Sequence, residues 1–179
     1  MTLDARLAPW SGVAYRHLPT GAPYGVLDFR FAGLGQDNRW NEPGEPTLYL
    51  AGDVGVAIAE LGRHFRHDRD PSLASALVER TVYRLELELE RVLDVRDADV
   101  CRAIGLQDAP VCFLERDVAR ATARYLRRTT PAQAILAPSV ATLDQLNRWN
   151  LVLFLEKLPA DPSRLIRSVR VEGPLRWRA

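Results

Sequence analysis

An α+β fold is predicted by three features of this sequence: segments where apolar and polar residues alternate, segments where apolar residues recur every three to four positions, and the interleaving of the two with no internal repeat or Pro/Ser-rich linker. Its 179 residues are enough to bury one sizeable core and too few for two ordinary domains, so residues 1–179 read as a single domain. Hydrophobic residues make up 47% and charged residues 26%, the balance of a folded globular chain and not of a disordered one.

In chain order, Val13 to Leu18 reads as a first strand, followed from Pro19 to Pro46 by a Gly/Pro-rich stretch with little periodicity. A loop of that length inside a compact domain usually carries function. Leu48 to Ala51 is a short strand, after which Asp53 caps a helix running to about His67. From Thr81 to Leu89 the apolar Tyr83, Leu85, Leu87 and Leu89 alternate with Arg84, Glu86 and Glu88, the pattern of a strand with one wet face whose carboxylates read as solvated. Asp97 to Ile104 reads as a short helix ended by Gly105, and Glu115 to Arg128 as a longer one stopped before Pro131. Ala134 to Ala137 and Asn150 to Leu155 are continuous apolar runs, expected as central strands covered on both faces. Leu165 to Val171 alternates again and is expected as the last strand, antiparallel and near an edge.

Charge and composition narrow the function classes. Net charge is +1 with both signs spread along the chain, so no extended surface for nucleic acid is expected. Of the 24 basic residues all but Lys157 are arginine, whose planar fork suits bidentate phosphate contacts. The longest apolar runs, such as Leu151 to Leu155, fall far short of the roughly 20 residues of a membrane-spanning helix. The first ten residues have neither the basic nor the apolar stretch of a secretory signal, so a cytoplasmic location is expected. Cys101 and Cys112 lack C-x-x-C spacing and are expected as buried free thiols with no zinc or redox role.

Four places carry candidate chemistry. Arg39, in the turn-rich segment from Asn38 to Pro46, either projects from a constrained loop to hold a phosphate or makes a structural salt bridge beside Trp40 as a core plug. On the predicted helix, Asp53, Glu60, His64 and His67 fall along one edge of the apolar stripe formed by Val54, Ala57, Ile58, Leu61 and Phe65. Glu60 there either faces a cleft or is an ordinary boundary residue; His64, His67 and Asp68 form only a minor candidate for a metal site, and no metal is expected. Ser139 follows the strand Ala134 to Ala137, where it either serves a site at the strand end or caps a following helix. No G-x-S-x-G elbow surrounds it, and no P-loop or dinucleotide-binding glycine motif occurs in the chain.

Taken in order, these residues resemble the RES domain, a family named for its arginine, glutamate and serine. The family's early aromatic-Arg pair is matched by Tyr15-Arg16, and its G-x-R-W-N-x-x-G loop by Gly35 and the run from Asn38 through Arg39, Trp40 and Asn41 to Gly44. Its Y-x-A strand end is matched by Tyr49-Leu50-Ala51, its A-x-x-E helix by Ala57 to Glu60, its P-S pair by Pro138-Ser139, and its Asn-led closing strand by Asn150 to Phe154. The matched core spans roughly residues 13 to 155. It departs from the family in placing Gly35 four residues ahead of Arg39, and in a longer connection from Leu143 to Trp149.

The resemblance implies an ADP-ribosyltransferase-like fold, a split sheet around an NAD cleft with flanking helices. It implies cleavage of the nicotinamide–ribose bond of NAD⁺ by a toxin of a toxin–antitoxin system, as glycohydrolase or phosphorylase, through an oxocarbenium-like transition state. Glu60, Arg39 and Ser139 then take catalytic roles, and Arg16, Tyr49, Asn41 and Asn150 bind substrate. NAD⁺ is substrate, so no separate cofactor is implied, and the expected partner is a helix-turn-helix antitoxin. The alternatives are a protein mono-ADP-ribosyltransferase and, outside enzymes, a nucleotide-binding or scaffold protein.

Overall fold

The computed structural model describes residues 3–36, 38–63 and 78–177, and within them shows a mixed α/β fold. Its elements are β1 (Ala8–Pro19), β2 (Thr47–Ala51), α1 (Val54–Arg63), β3 (Val78–Asp94), α2 (Ala98–Ala103), α3 (Arg116–Thr129), β4 (Ala134–Pro138), β5 (Trp149–Phe154) and β6 (Ile166–Trp177). The strands form a six-stranded sheet in the order β1-β2-β5-β4-β3-β6, with β1 also paired to β3.

That extra pairing gives the sheet two halves. In one, β3 is flanked by antiparallel β1 and β6; in the other, β5 is flanked by antiparallel β2 and β4. The halves meet where the end of β3, Val92 to Asp94, runs parallel to Ala134 to Leu136 of β4, and where Tyr15 of β1 meets Ala51 of β2.

Three strands outrun the expected lengths: β1 begins at Ala8 ahead of the expected Val13, and bulges accompany the extensions of β3 and β6. Alternation along β3 stops at Leu89 because the register with β1 shifts between Ala8 and Trp10, so the next buried residues are Val92 and Leu93. β6 continues past the expected end at Val171 through Gly173 (φ +143°) and Pro174, which a register shift opposite Val82 and Tyr83 absorbs on an edge strand. The antiparallel edge position expected for this last strand is observed. The wet face of β3 is paired as well as solvated: Glu86 accepts from Arg84 at 2.8 Å and from Ser168 at 2.9 Å, and Glu88 pairs with Arg167.

Helix boundaries follow local capping. The Asp53 carboxylate accepts the Val56 N–H at 2.8 Å and opens α1, and Asp97 accepts the Asp99 N–H at 2.7 Å to open α2. The last predicted turn of the first helix lies outside the described residues, as do His64, His67 and Asp68. None of the described helices is long and apolar enough to cross a membrane.

β4 and β5 are covered on both faces, as continuous apolar runs require. Ile135, Ala137, Val152 and Phe154 pack with Trp40, Phe113 and the α3 stripe Ala119, Ala123 and Leu126. Ala134, Leu136, Leu151 and Leu153 pack on the other side with Leu48, Leu50, Leu85 and Leu87. Cys101 is buried and its thiol is pushed up to about 11 by that burial, whereas Cys112 is only half-buried, correcting the expectation of two buried thiols.

Leu151 sits fully buried between two paired strands, so Leu151→Ala should cost about 2–5 kcal/mol in urea denaturation. Val171 is 68% exposed on the edge strand, and Val171→Ala should change stability by less than about 0.5 kcal/mol in the same assay.

Candidate active site

Three strand ends converge beside α1. Asn150 at the start of β5 is the register partner both of Ala51, which ends β2, and of Ala137 near the end of β4. The chain then turns from Ala51 into α1 through Gly52, whose N–H bonds the Trp149 carbonyl at 2.8 Å. A Cβ on Gly52 would sit 2.8 Å from the Trp149 ring, so only glycine lets the backbone pass this close.

Two turns along α1, Glu60 meets both neighbouring strands. Its Oε1 accepts Ser139 Oγ at 2.7 Å and Asn150 Nδ2 at 3.0 Å. Glu60 lies 79 and 90 positions from Ser139 and Asn150 in sequence, and the strand convergence unites them. Ser139 is fully buried and caps no helix; its hydroxyl is given to the carboxylate while its backbone binds Arg148 and Thr142 in a turn. The helix-cap alternative for Ser139 is therefore corrected.

Glu60 and Asn150 line a cavity of about 460 Å³ that receives residues from both halves of the sheet and from the long loop. Arg16, Arg39 and Tyr49 line it too, whereas Ser139 stands behind Glu60 and Asn41 stands within the loop. Arg16 donates to the carbonyls of Val26 and Asp28 and lies 5.3 Å from the Phe29 ring centroid. Burial lowers its basicity from the ordinary value, opposed by Tyr24 and Asp28. Arg39 Nη1 donates to the carbonyls of Phe113 at 3.0 Å and Leu114 at 2.8 Å, which anchors the loop against the segment before α3.

Tyr49 and Asn41 shape this loop from inside. The Tyr49 hydroxyl donates to Asn41 Oδ1 at 2.8 Å and accepts the Trp40 N–H at 2.8 Å. Burial pushes that phenol above its ordinary value, so it remains neutral. Asn41 is fully buried and gives its amide hydrogens to the Gly33 carbonyl at 3.0 Å and the Glu42 carbonyl at 2.6 Å. Gly33 (φ +86°) is fixed by geometry, since a Cβ there would lie 1.9 Å from the Glu45 carbonyl oxygen. Trp40 is the core plug expected of it, 2% exposed and 4.8 Å from the Phe113 ring.

Sequence reasoning missed several residues of this region. His17, Arg63 and Arg80 also line the cavity, and Arg80 Nε donates to His17 Nδ1 at 2.7 Å. Behind the loop, Arg120 and Arg124 of α3 bind Glu42, and the buried Arg127 binds Thr47 and Glu156 while lying 4.1 Å from the Phe154 ring centroid. Their spacing at i, i+4 and i+7 was the available signal, because it places all three on one helix face. Among the described residues no group of three or more His, Cys, Asp and Glu is placed to hold a metal ion.

Comparison with known proteins gives this arrangement a family. No curated protein matches the chain. Its fold is similar to that of a chain in the crystal structure of the M. tuberculosis MbcT-MbcA toxin-antitoxin complex, with a TM-score of 0.63 and 19% identity over 98% of this chain and 90% of that one. The RES domain model matches residues 13–177, which takes in Arg16, Arg39, Glu60 and Ser139 together with all six strands except the start of β1. The chain belongs to the RES-domain family.

Proposed function

We propose that this chain breaks the bond between nicotinamide and ribose in NAD⁺ and acts as the toxin of a toxin–antitoxin pair. One observation carries the reading: Glu60, held by Ser139 and Asn150, stands in the wall of a cavity that also contains Arg16 and Arg39. A carboxylate and separate guanidinium groups in one cavity suit a ligand that develops positive charge at one atom and carries phosphates elsewhere. The volume falls within the range of small-molecule sites. Membership of the RES family and the likeness to a chain of a toxin–antitoxin complex support the same reading. The entry of lining residues from both sheet halves supports an ADP-ribosyltransferase-like architecture.

In this reaction the bond from ribose C1′ to the pyridinium nitrogen breaks, and its electron pair leaves with neutral nicotinamide. C1′ passes through an oxocarbenium-like state and is captured by an oxygen of water or phosphate, which gives up a proton. Glu60 stabilises the ribosyl cation; both of its hydrogen bonds among the described residues fall on Oε1, which leaves Oε2 for the ligand. Ser139 and Asn150 fix the carboxylate, so that no reorganisation is needed as charge develops. Arg16 and Arg39 bind the pyrophosphate, Tyr49 borders the nicotinamide, and Asn41 supports the loop that presents Arg39. Neutral nicotinamide is a good leaving group from its pyridinium form, so NAD⁺ as substrate calls for no additional cofactor. A helix-turn-helix antitoxin is the partner in this reading, and the cytoplasm its location.

The direct test is incubation of the purified chain with NAD⁺ labelled in the ADP-ribose part, with and without phosphate. Free nicotinamide should accumulate, with the label in ADP-ribose or its 1″-phosphate; label on protein assigns transfer instead. Intact NAD⁺ in both arms, with folded protein, overturns the proposal.

Glu60→Gln keeps a carbonyl for Ser139 and Asn150 and removes only the charge. Turnover should fall at least about a hundredfold, roughly 3 kcal/mol of transition-state stabilisation, with melting temperature and NAD⁺ affinity nearly unchanged. A variant that melts early while its folded fraction keeps full turnover would show that Glu60 is structural.

A further inference from the structure

We infer that Arg120, on α3 and outside every motif residue considered above, is a positioning residue that sets Arg39 in the cavity. The inference rests on the reading of Arg39 as a substrate-phosphate group.

Arg120 is 14% exposed and spends its guanidinium on the loop ahead of β2. Nε and Nη2 fork around the Asn38 carbonyl oxygen at 3.0 and 2.8 Å, and Nη2 also reaches the Gln36 carbonyl at 2.6 Å. Nη1 stands 3.4 Å from Glu42 Oε2, whose other oxygen is taken by Arg124. The Asn38 carbonyl belongs to the peptide unit that bears the Arg39 amide. Holding that oxygen from two donors fixes the orientation of the plane from which the Arg39 side chain departs.

The surroundings make this contact decisive. Between Pro19 and Thr47 the described residues contain no helix or strand, so no ladder of backbone bonds orients the Asn38–Arg39 peptide. Downstream, Trp40 and Asn41 are locked by Tyr49 and by core packing. Upstream, Arg120 supplies the corresponding hold. Arg39 is thereby fixed from both sides, with its own Nη1 placed on Phe113 and Leu114. Lysine in place of Arg120 keeps the charge and can meet one carbonyl, but cannot fork around it.

The test has a substrate-free arm and a kinetic arm. In the protein without substrate, Arg120→Ala should speed amide hydrogen exchange across residues 36–42 at least about tenfold. Arg128→Ala, on the exposed side of α3, should leave it unchanged. With NAD⁺, Arg120→Ala should raise KM about tenfold with kcat within about twofold, and Arg120→Lys should recover part of the loss. In an Arg39→Ala background, Arg120→Ala should add less than about threefold to KM, because its effect passes through Arg39. Multiplying effects in the double variant, or a fall in kcat with unchanged KM, overturns the inference. Should Arg120→Ala fail to fold, Arg120→Gln carries the same measurements. Should the wild-type chain leave NAD⁺ intact, the substrate reading has failed, and unchanged exchange in Arg120→Ala alone overturns the clamp.

Discussion

Arginine forks on bare carbonyls hold this molecule's working parts in place. The segment joining β1 to β2 crosses the cavity without forming a helix or strand among its described residues, so its backbone acceptors need partners from elsewhere. Arg16 serves Val26 and Asp28 at one end, and Arg120 serves Gln36 and Asn38 nearer the other. Arg39 reverses the direction, reaching out of the loop to the carbonyls of Phe113 and Leu114. Each guanidinium offers several donors in a fixed plane, which a lysine ammonium cannot match. The near-absence of lysine thus has a structural correlate beyond any phosphate role.

The carboxylate at the centre is organised by another route. Glu60, Ser139 and Asn150 come from a helix, a strand exit and a strand entrance, brought together by the register of β2, β5 and β4. Rigid paired strands set the two donors, and a capped helix presents the acceptor. The cavity thus combines a stiff wall bearing the carboxylate with a loop wall bearing an arginine. Under the proposed reaction both walls need fixed geometry, supplied to the carboxylate by strand register and to the arginine by its contacts with backbone carbonyls.

Local patterns made much of this legible. Alternation located β3, continuous apolar runs located β4 and β5, and Asp53 and Asp97 marked helix starts that their side chains indeed cap. The order of short motifs along the chain singles out Arg16, Arg39, Tyr49, Glu60 and Ser139 with no indication of their proximity. What sequence could not reveal depends on long-range register or on bulges. The phase slip after Leu89 hid the end of β3, Glu90 to Asp94, and Gly173 with Pro174 hid the second half of β6. Ser139 read equally well as a helix cap, because nothing local says that its hydroxyl meets a carboxylate 79 positions away. Arg120 and Arg127 share one face of α3 by their spacing, but nothing local names the distant Asn38 carbonyl and Glu156 carboxylate that they bind.

The closure of β1 onto β3 leaves β6 as the outer edge of its half-sheet. A long open strand is a template for addition of another chain, and this one is interrupted by a bulge at Gly173 and by Pro174, which has no N–H to offer. β6 therefore works as a seal. A version of this protein cut before Ile166 would bare the flank of β3 from Val78 to Leu87, a ladder with no bulge of its own that contains the fully buried Leu85. Such a fragment would be prone to intermolecular strand pairing and loss from solution even with every residue of the cavity retained, so solubility in this fold is governed by a strand that touches none of its chemistry.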